Sequence, residues 1–214
     1  WDEYSRKVVY IPNGVNKPII REPNIIKQKY GLEKDSYILF LARIVPEKGL
    51  HYLIDAYKQI ETDKKLVIAG GASHTNDYLN KIKEMIKDDN RIIMTGFVQG
   101  EELEELYSNC YLYCLPSDVE GMPLSLLESM SYGNCCLISD IPENVDILLD
   151  NGINFKKSNI EDLKEKLKYL LNNKDVINNL KNTSSDFICS KFNWDEVTIK
   201  TINLYGKITK RRRK

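Results

Sequence analysis

The chain has 214 residues, 42% of them hydrophobic and 29% charged, with 31 basic and 31 acidic side chains and a formal net charge of zero. At roughly 150 residues per domain this is one large domain or two small ones, long enough to bury about 70% of the unfolded surface. The apolar content excludes a disordered chain, and no run of about 18 apolar residues is present to span a bilayer as a helix.

The neutrality is uneven. Residues 210–214 read KRRRK, and without them 26 basic side chains face 31 acidic ones. Such a tail suits a flexible solvated end, with peripheral contact to an anionic membrane surface as the alternative. Without aromatic interleaving or a wider basic face, nucleic acid is not an expected partner. Trp1 stands where an initiator Met would, so the sequence reads as a fragment or a processed chain. The five cysteines (Cys110, Cys114, Cys135, Cys136 and Cys189) have neither the even number nor the spacing of a disulfide framework. They read as buried thiols in a reducing, cytoplasmic setting rather than as metal ligands. Of the two histidines, His51 falls in a helical pattern as a partly exposed structural residue, and His74 follows a glycine turn as a solvated loop residue.

Along the chain, short β-branched or aromatic runs alternate with helical patterns. VVYI at 8–11 is the first predicted strand, followed by YILFLA at 37–42. Leu50, Leu53, Ile54, Tyr57 and Ile60 then recur at helical spacing before KLVIAG at 65–70. Leu79, Ile82 and Ile86 repeat that spacing before RIIMTG at 91–96, and CYLYCL at 110–115 and CCLIS at 135–139 follow. The near-continuous apolar character of these runs predicts strands buried on both faces, hence a parallel sheet of about six strands flanked by helices, in a Rossmann-like doubly wound α/β layer. After a weak INF segment at 153–155 the pattern turns wholly helical. Ile160 to Leu171, Val176 to Ile188 and Val197 to Ile208 mark three helices of a C-terminal part spanning 157–214, expected to pack at the sheet's edge or to reach beyond it. No linker or internal repeat divides the chain, so residues 1–214 read as a single domain.

In open α/β sheets ligands bind beyond the carboxyl ends of the strands, which directs attention to the segment after each run. After YILFLA, Arg43 and Lys48 share a loop that opens a helix near Gly49, a combination suited to a diphosphate or simply a solvated loop. After KLVIAG, Gly70 and Gly71 either admit a ligand close to the backbone or form a plain turn. After RIIMTG, Phe97 and Val98 form an apolar lip that composition alone does not distinguish from core. After CYLYCL comes PSDVEGMPLSLLESMSYG, with Glu120 before a glycine and Glu128 in the following helix. Pro123 is expected in the first helical turn, with the amides of about Gly121 to Ser125 aimed at a bound anion. Glu128 falls beside the inward stripe, where a carboxylate needs a partner such as a sugar diol, whereas Ser125 and Glu128 also satisfy a capping box. The corresponding alternative for Glu120 is a loop carboxylate in water.

Taken together these segments resemble the nucleotide-sugar-binding half of family 4 glycosyltransferases, retaining enzymes of the GT-B fold. The resemblance covers nearly the whole chain, through IPNGV at 11–15, ARIVPEKG at 42–49, VIAGG at 67–71, TGFV at 95–98, LPSDVEGMPLSLLESMSYG at 115–133, SDIPEN at 139–144 and NGINF at 151–155. It includes two glutamates separated by seven residues, Glu120 and Glu128. It implies that Arg43 and Lys48 hold the diphosphate of a UDP-, GDP- or ADP-linked sugar, Glu128 the ribose hydroxyls, and Glu120 the transferred sugar near its reacting carbon. Gly71 belongs to the same site by this resemblance, the backbone from Gly121 through Met122 and Pro123 to Leu124 contacts sugar and diphosphate, and Val98 lies against the base. No metal or other cofactor is implied. Met122 stands where the family often has an aromatic residue, and Gly70-Gly71-Ala72 where it often has an acidic one. The implied reaction is glycosyl transfer with retention of anomeric configuration, this chain supplying the donor half and a separate N-terminal domain the acceptor half. The final helix resembles the one that crosses back toward that second half. The competing expectations are a noncatalytic nucleotide-sugar-binding domain and a nucleotide-sugar epimerase. A dehydrogenase lacks its GxGxxG.

Overall fold

A computed structural model of the chain describes residues 8–72 and 76–211, with side chains as far as Ile208. In chain order its elements are α1 (Ile25–Tyr30), β1 (Tyr37–Leu41), α2 (Leu50–Lys58), β2 (Lys65–Ala69), α3 (Asp77–Ile86), β3 (Ile92–Gly96), α4 (Gly100–Asn109) and β4 (Leu112–Leu115). They continue as α5 (Leu124–Ser131), β5 (Cys136–Ser139), α6 (Pro142–Leu148), β6 (Ile153–Phe155), α7 (Ile160–Asn172), α8 (Lys174–Lys191) and α9 (Trp194–Arg211). The strands form one six-stranded sheet, ordered β3-β2-β1-β4-β5-β6 and parallel throughout.

Alternation along each strand divides the core between the two faces. Ile38 and Phe40 of β1, with Leu66 and Ile68 of β2, meet Leu53 and Ile54 of α2, Ile82 of α3 and Leu163, Leu167 and Leu170 of α7. Tyr37 and Leu39, with Val67 and Ala69, meet Ile26 of α1, Leu106 of α4, Leu126, Leu127 and Met130 of α5 and Ile188 of α8 on the other face. This two-sided burial is why the strands read as continuous apolar runs.

Three expectations change. VVYI at 8–11 is not a strand: Val8, Val9 and Tyr10 are exposed and have no strand beside them. The short INF segment becomes the sixth strand, its backbone pairing with β5 from Leu137–Ile153 to Ser139–Phe155. The C-terminal helices are not confined to one edge: α7 packs on α2 and the edge strand β6, while α8 begins in the same layer at Ile177 and reaches α5 on the opposite face at Ile188. Among the described residues no helix is long and apolar enough to cross a membrane.

Candidate active site

The strand order places β1 beside β4, and the chain winds outward from that pair in both directions, which creates a switch point where the loops after the two strands diverge. The two loops are tied together. The Asp118 amide donates to the Glu47 carbonyl (2.8 Å), and Tyr52 of α2 donates to Asp118 Oδ2 (3.1 Å). Gly49, at φ +65°, sits so close to the second loop that a β-carbon would lie 2.0 Å from the Pro116 carbonyl oxygen. Glycine is required there by both conformation and space.

This seam brings Lys48 and Glu120 into contact. Lys48 Nζ lies 2.6 Å from Glu120 Oε1, and the two side chains are only 15% and 6% exposed. Ser117 Oγ donates to the same oxygen (2.7 Å), while the Ser117 carbonyl accepts from Ser139. Glu120 is therefore a buried, paired carboxylate rather than a loop group in water. Ser117 falls in the segment singled out after β4 but was assigned no role. Its place immediately beyond the strand end was the available signal.

Arg43 is exposed and separate from that pair. With Gly71 and Val98 it lines a cleft of about 180 Å³ beyond β1, β2 and β3, completed by Leu41, Ala42 and the exposed ring of Phe97. The glycine demand at this point belongs to Gly70, whose φ is +146° and whose β-carbon would fall 1.9 Å from the Ala42 carbonyl oxygen. The close approach made by Gly70 is to the protein's own backbone. Gly71 faces the cleft, and a β-carbon there would meet only Phe97, at 3.8 Å. The α2 N-terminus is less open than the loop sequence suggests, because the His51 amide donates to Tyr78 Oη and the imidazole Nδ1 lies 2.8 Å from the same oxygen. His51 is thus a half-buried structural residue whose pKa burial lowers. His74 lies outside the described residues, as do the side chains of the basic tail.

Glu128 opens into a second cleft, of about 390 Å³, whose walls include Leu124, Tyr107, Leu103, Tyr132 and Trp194. Partial burial of its carboxyl raises the pKa, and a hydrogen bond from Tyr107 Oη to Oε2 (3.1 Å) acts in the opposite direction. The capping box does not form: α5 begins at Leu124, so Glu128 lies beyond its first turn, and Ser125 Oγ accepts instead from Tyr113 Oη (2.8 Å). Pro123 is the N-cap residue and not the first helical one, with an extended ψ of 102°. Proline also has no N–H, so of the expected amides only those of Gly121, Met122, Leu124 and Ser125 can donate, and the first helical amides have no acceptor inside the helix. Gly121 and Met122 line a third hollow, with Tyr10, Glu143, Asp146 and Lys191 among its walls, and Met122 Sδ accepts from the Asn13 amide (3.1 Å). Cys110, Cys114, Cys135 and Cys136 are buried in the core and Cys189 is half-buried, all five as free thiols whose pKa values burial raises.

Residues 23–186 match the family described as Glycosyl transferases group 1, and the chain belongs to that family. It is 28% identical over 211 residues to an uncharacterized glycosyltransferase of Methanocaldococcus jannaschii, a match covering 93% of this chain and 54% of that protein. The O-antigen chain mannosyltransferase B of Escherichia coli is 24% identical over 184 residues, covering 84% and 48% respectively. Among solved structures, a glycosyltransferase from Rickettsia africae matches with a TM-score of 0.86 at 22% identity, over 96% of this chain and 58% of that one. Anabaena HepE in complex with UDP and glucose matches with a TM-score of 0.79 at 17% identity, over 86% and 51%. The chain spans about half the length of the curated relatives it matches. Its parallel sheet with helices on both faces has the architecture of GT-B glycosyltransferases.

Proposed function

We propose that this chain supplies the donor-binding half of a retaining glycosyltransferase, with the ribose of a nucleoside diphosphate sugar at Glu128, its base toward the cleft lined by Val98 and its diphosphate at the β1–β4 seam. The observation that carries the reading is the meeting of Lys48 and Glu120, from two different strand ends, at the switch point of the sheet. In this reading Glu128 accepts from the ribose hydroxyls, Arg43 and Lys48 bind phosphate oxygens, and Glu120 faces the transferred sugar. Val98 lies against the base, and the backbone from Gly121 to Leu124 borders the sugar. The likeness to HepE, solved with UDP and glucose, supports a nucleotide sugar as the ligand class.

Chemically, the bond from the anomeric carbon to the diphosphate oxygen breaks while the acceptor oxygen bonds to the same face of that carbon. The acceptor's proton leaves with the diphosphate. Negative charge grows on the departing group, and preorganised cations and amides are worth most there because they need no rearrangement during the reaction. Arg43, Lys48 and the amides at the start of α5 supply that stabilisation, so the reaction needs no metal. Transfer by the complete enzyme that persists in EDTA is the expected result.

Titration calorimetry of this chain against UDP, GDP and ADP tests the donor site, and absence of binding to all three at millimolar concentration would sink it. In a complete enzyme, Arg43→Ala or Lys48→Ala is expected to lower turnover by about 2–4 kcal/mol of transition-state stabilisation, as for loss of one preorganised donor. Unchanged turnover in both variants rejects the assignment. NMR of the newly formed anomeric centre decides between retention and inversion.

A further inference from the structure

The ligand-facing carboxylate of Glu128 is held from behind by a tyrosine whose own position is set by packing. Tyr107 of α4 is 1% exposed, and its hydroxyl reaches Glu128 Oε2 at 3.1 Å and the Ser125 carbonyl at 3.3 Å. Its ring is stacked on Tyr132, with centroids 5.2 Å apart and planes 20° from parallel, and tilts against Tyr113 at 6.3 Å. Tyr113 in turn donates to Ser125 Oγ, so two buried hydroxyls grip the first turn of α5 while one of them also grips Glu128. The ring and the carboxylate line the same 390 Å³ cleft.

We infer that Tyr107 is a positioning residue for nucleotide recognition, fixing the Glu128 carboxylate so that it can accept both hydroxyls of a ribose 2′,3′-diol. This rests on the reading of Glu128 as the ribose ligand. A carboxylate on a flexible glutamate has several rotamers, and a cis-diol is read well only when both oxygens are held in the plane of its two hydroxyls. Tyr107 removes that freedom through one oxygen and leaves lone pairs on both for the ligand. Burial keeps the phenol well above its ordinary pKa, so it serves as a donor throughout the working range.

The test is calorimetry of the 214-residue chain with UDP, GDP and ADP and with their 2′,3′-dideoxy counterparts, for the wild type, Tyr107→Phe, Glu128→Gln and the double variant. Tyr107→Phe retains the ring and its stacking, and a thermal melt checks that the fold is kept. The expected result is about tenfold or more weaker binding of the diol nucleotides, in line with loss of a hydrogen bond to a charged group, with dideoxy binding unchanged. The double variant should bind no more weakly than Glu128→Gln alone. Equal losses on diol and dideoxy ligands mark a merely structural role and overturn the inference, as does undiminished diol binding in Tyr107→Phe. If Glu128→Gln itself leaves the discrimination between diol and dideoxy ligands intact, the ribose assignment fails and the inference fails with it.

Discussion

Lys48 and Glu120 neutralise each other across the seam, so the ammonium already has an anionic partner within the protein. On the proposed reading, a donor diphosphate competes with that carboxylate or shares the cation with it. Glu120→Gln keeps the shape and removes the competing charge, so it is expected to bind nucleoside diphosphates several-fold more tightly, while sugar transfer by the complete enzyme falls. Weaker binding in calorimetry would show that the carboxylate assists the ligand rather than competing with it. Glu128 carries a different signature. Its pKa is raised in the fold, so the folded chain holds that proton more readily than the unfolded chain does. Its contribution to stability is thus fully present below the ordinary carboxylate value, about 4.3, and is lost as the pH rises through the raised folded value. Glu128→Gln should therefore melt at a higher temperature than the wild type at neutral pH, with the difference narrowing in acid. Nucleotide affinity of the wild type should fall on acidification before an ordinary carboxylate would protonate, which calorimetry at stepped pH reads directly.

At the scale of elements, β1 and β2 are joined more closely than side chains alone require, because Gly70 sits against the Ala42 carbonyl at a positive φ. Gly70→Ala must both strain the backbone and push the two strand ends apart, a cost of at least about 1–3 kcal/mol in a urea melt. Gly71→Ala should fold normally and narrow the Arg43 cleft, so the pair separates the structural glycine from the cleft-facing one. Sequence alone could not divide them, since either glycine of a doublet can take the positive φ. The same limit explains the first strand. VVYI has the composition of the buried runs, but a strand needs a neighbour, and the sheet ends at β3 and β6 without pairing to this segment. β1 to β5 were legible because burial on both faces leaves unbroken apolar runs, whereas β6, at three residues, is too short to leave a pattern. Glu120 drew attention by lying in the loop beyond a strand end, and Glu128 by standing beside the inward stripe of the helix that follows. Tyr107 was not legible, because an aromatic at helical spacing reads as core. It is core, and only the packing of α4 beside α5 shows where its hydroxyl points.

For the molecule as a whole, α9 is the element least committed to the core. Val197 is buried on it, while Ile199 and Ile202 are 52% and 62% exposed and Ile208 is 45% exposed. Part of its apolar surface is therefore uncovered. Ile199→Lys and Ile202→Lys should leave the stability of this chain within about 0.5 kcal/mol, whereas Ile188→Ala, in the core of α8, should cost about 2–5 kcal/mol by chemical denaturation. The β1–β4 seam behaves in the opposite way. Backbone register between these strands runs through Ile38–Leu112 and Leu39–Tyr113, with the Tyr111 amide donating to the Tyr37 carbonyl at one end, and the bonds from Asp118 to Glu47 and from Lys48 to Glu120 continue the junction past the other. Two loops about seventy residues apart in sequence are thereby one mechanical body. A ligand that touches either should slow amide hydrogen exchange in both at once, and to the same degree, even where it contacts only one.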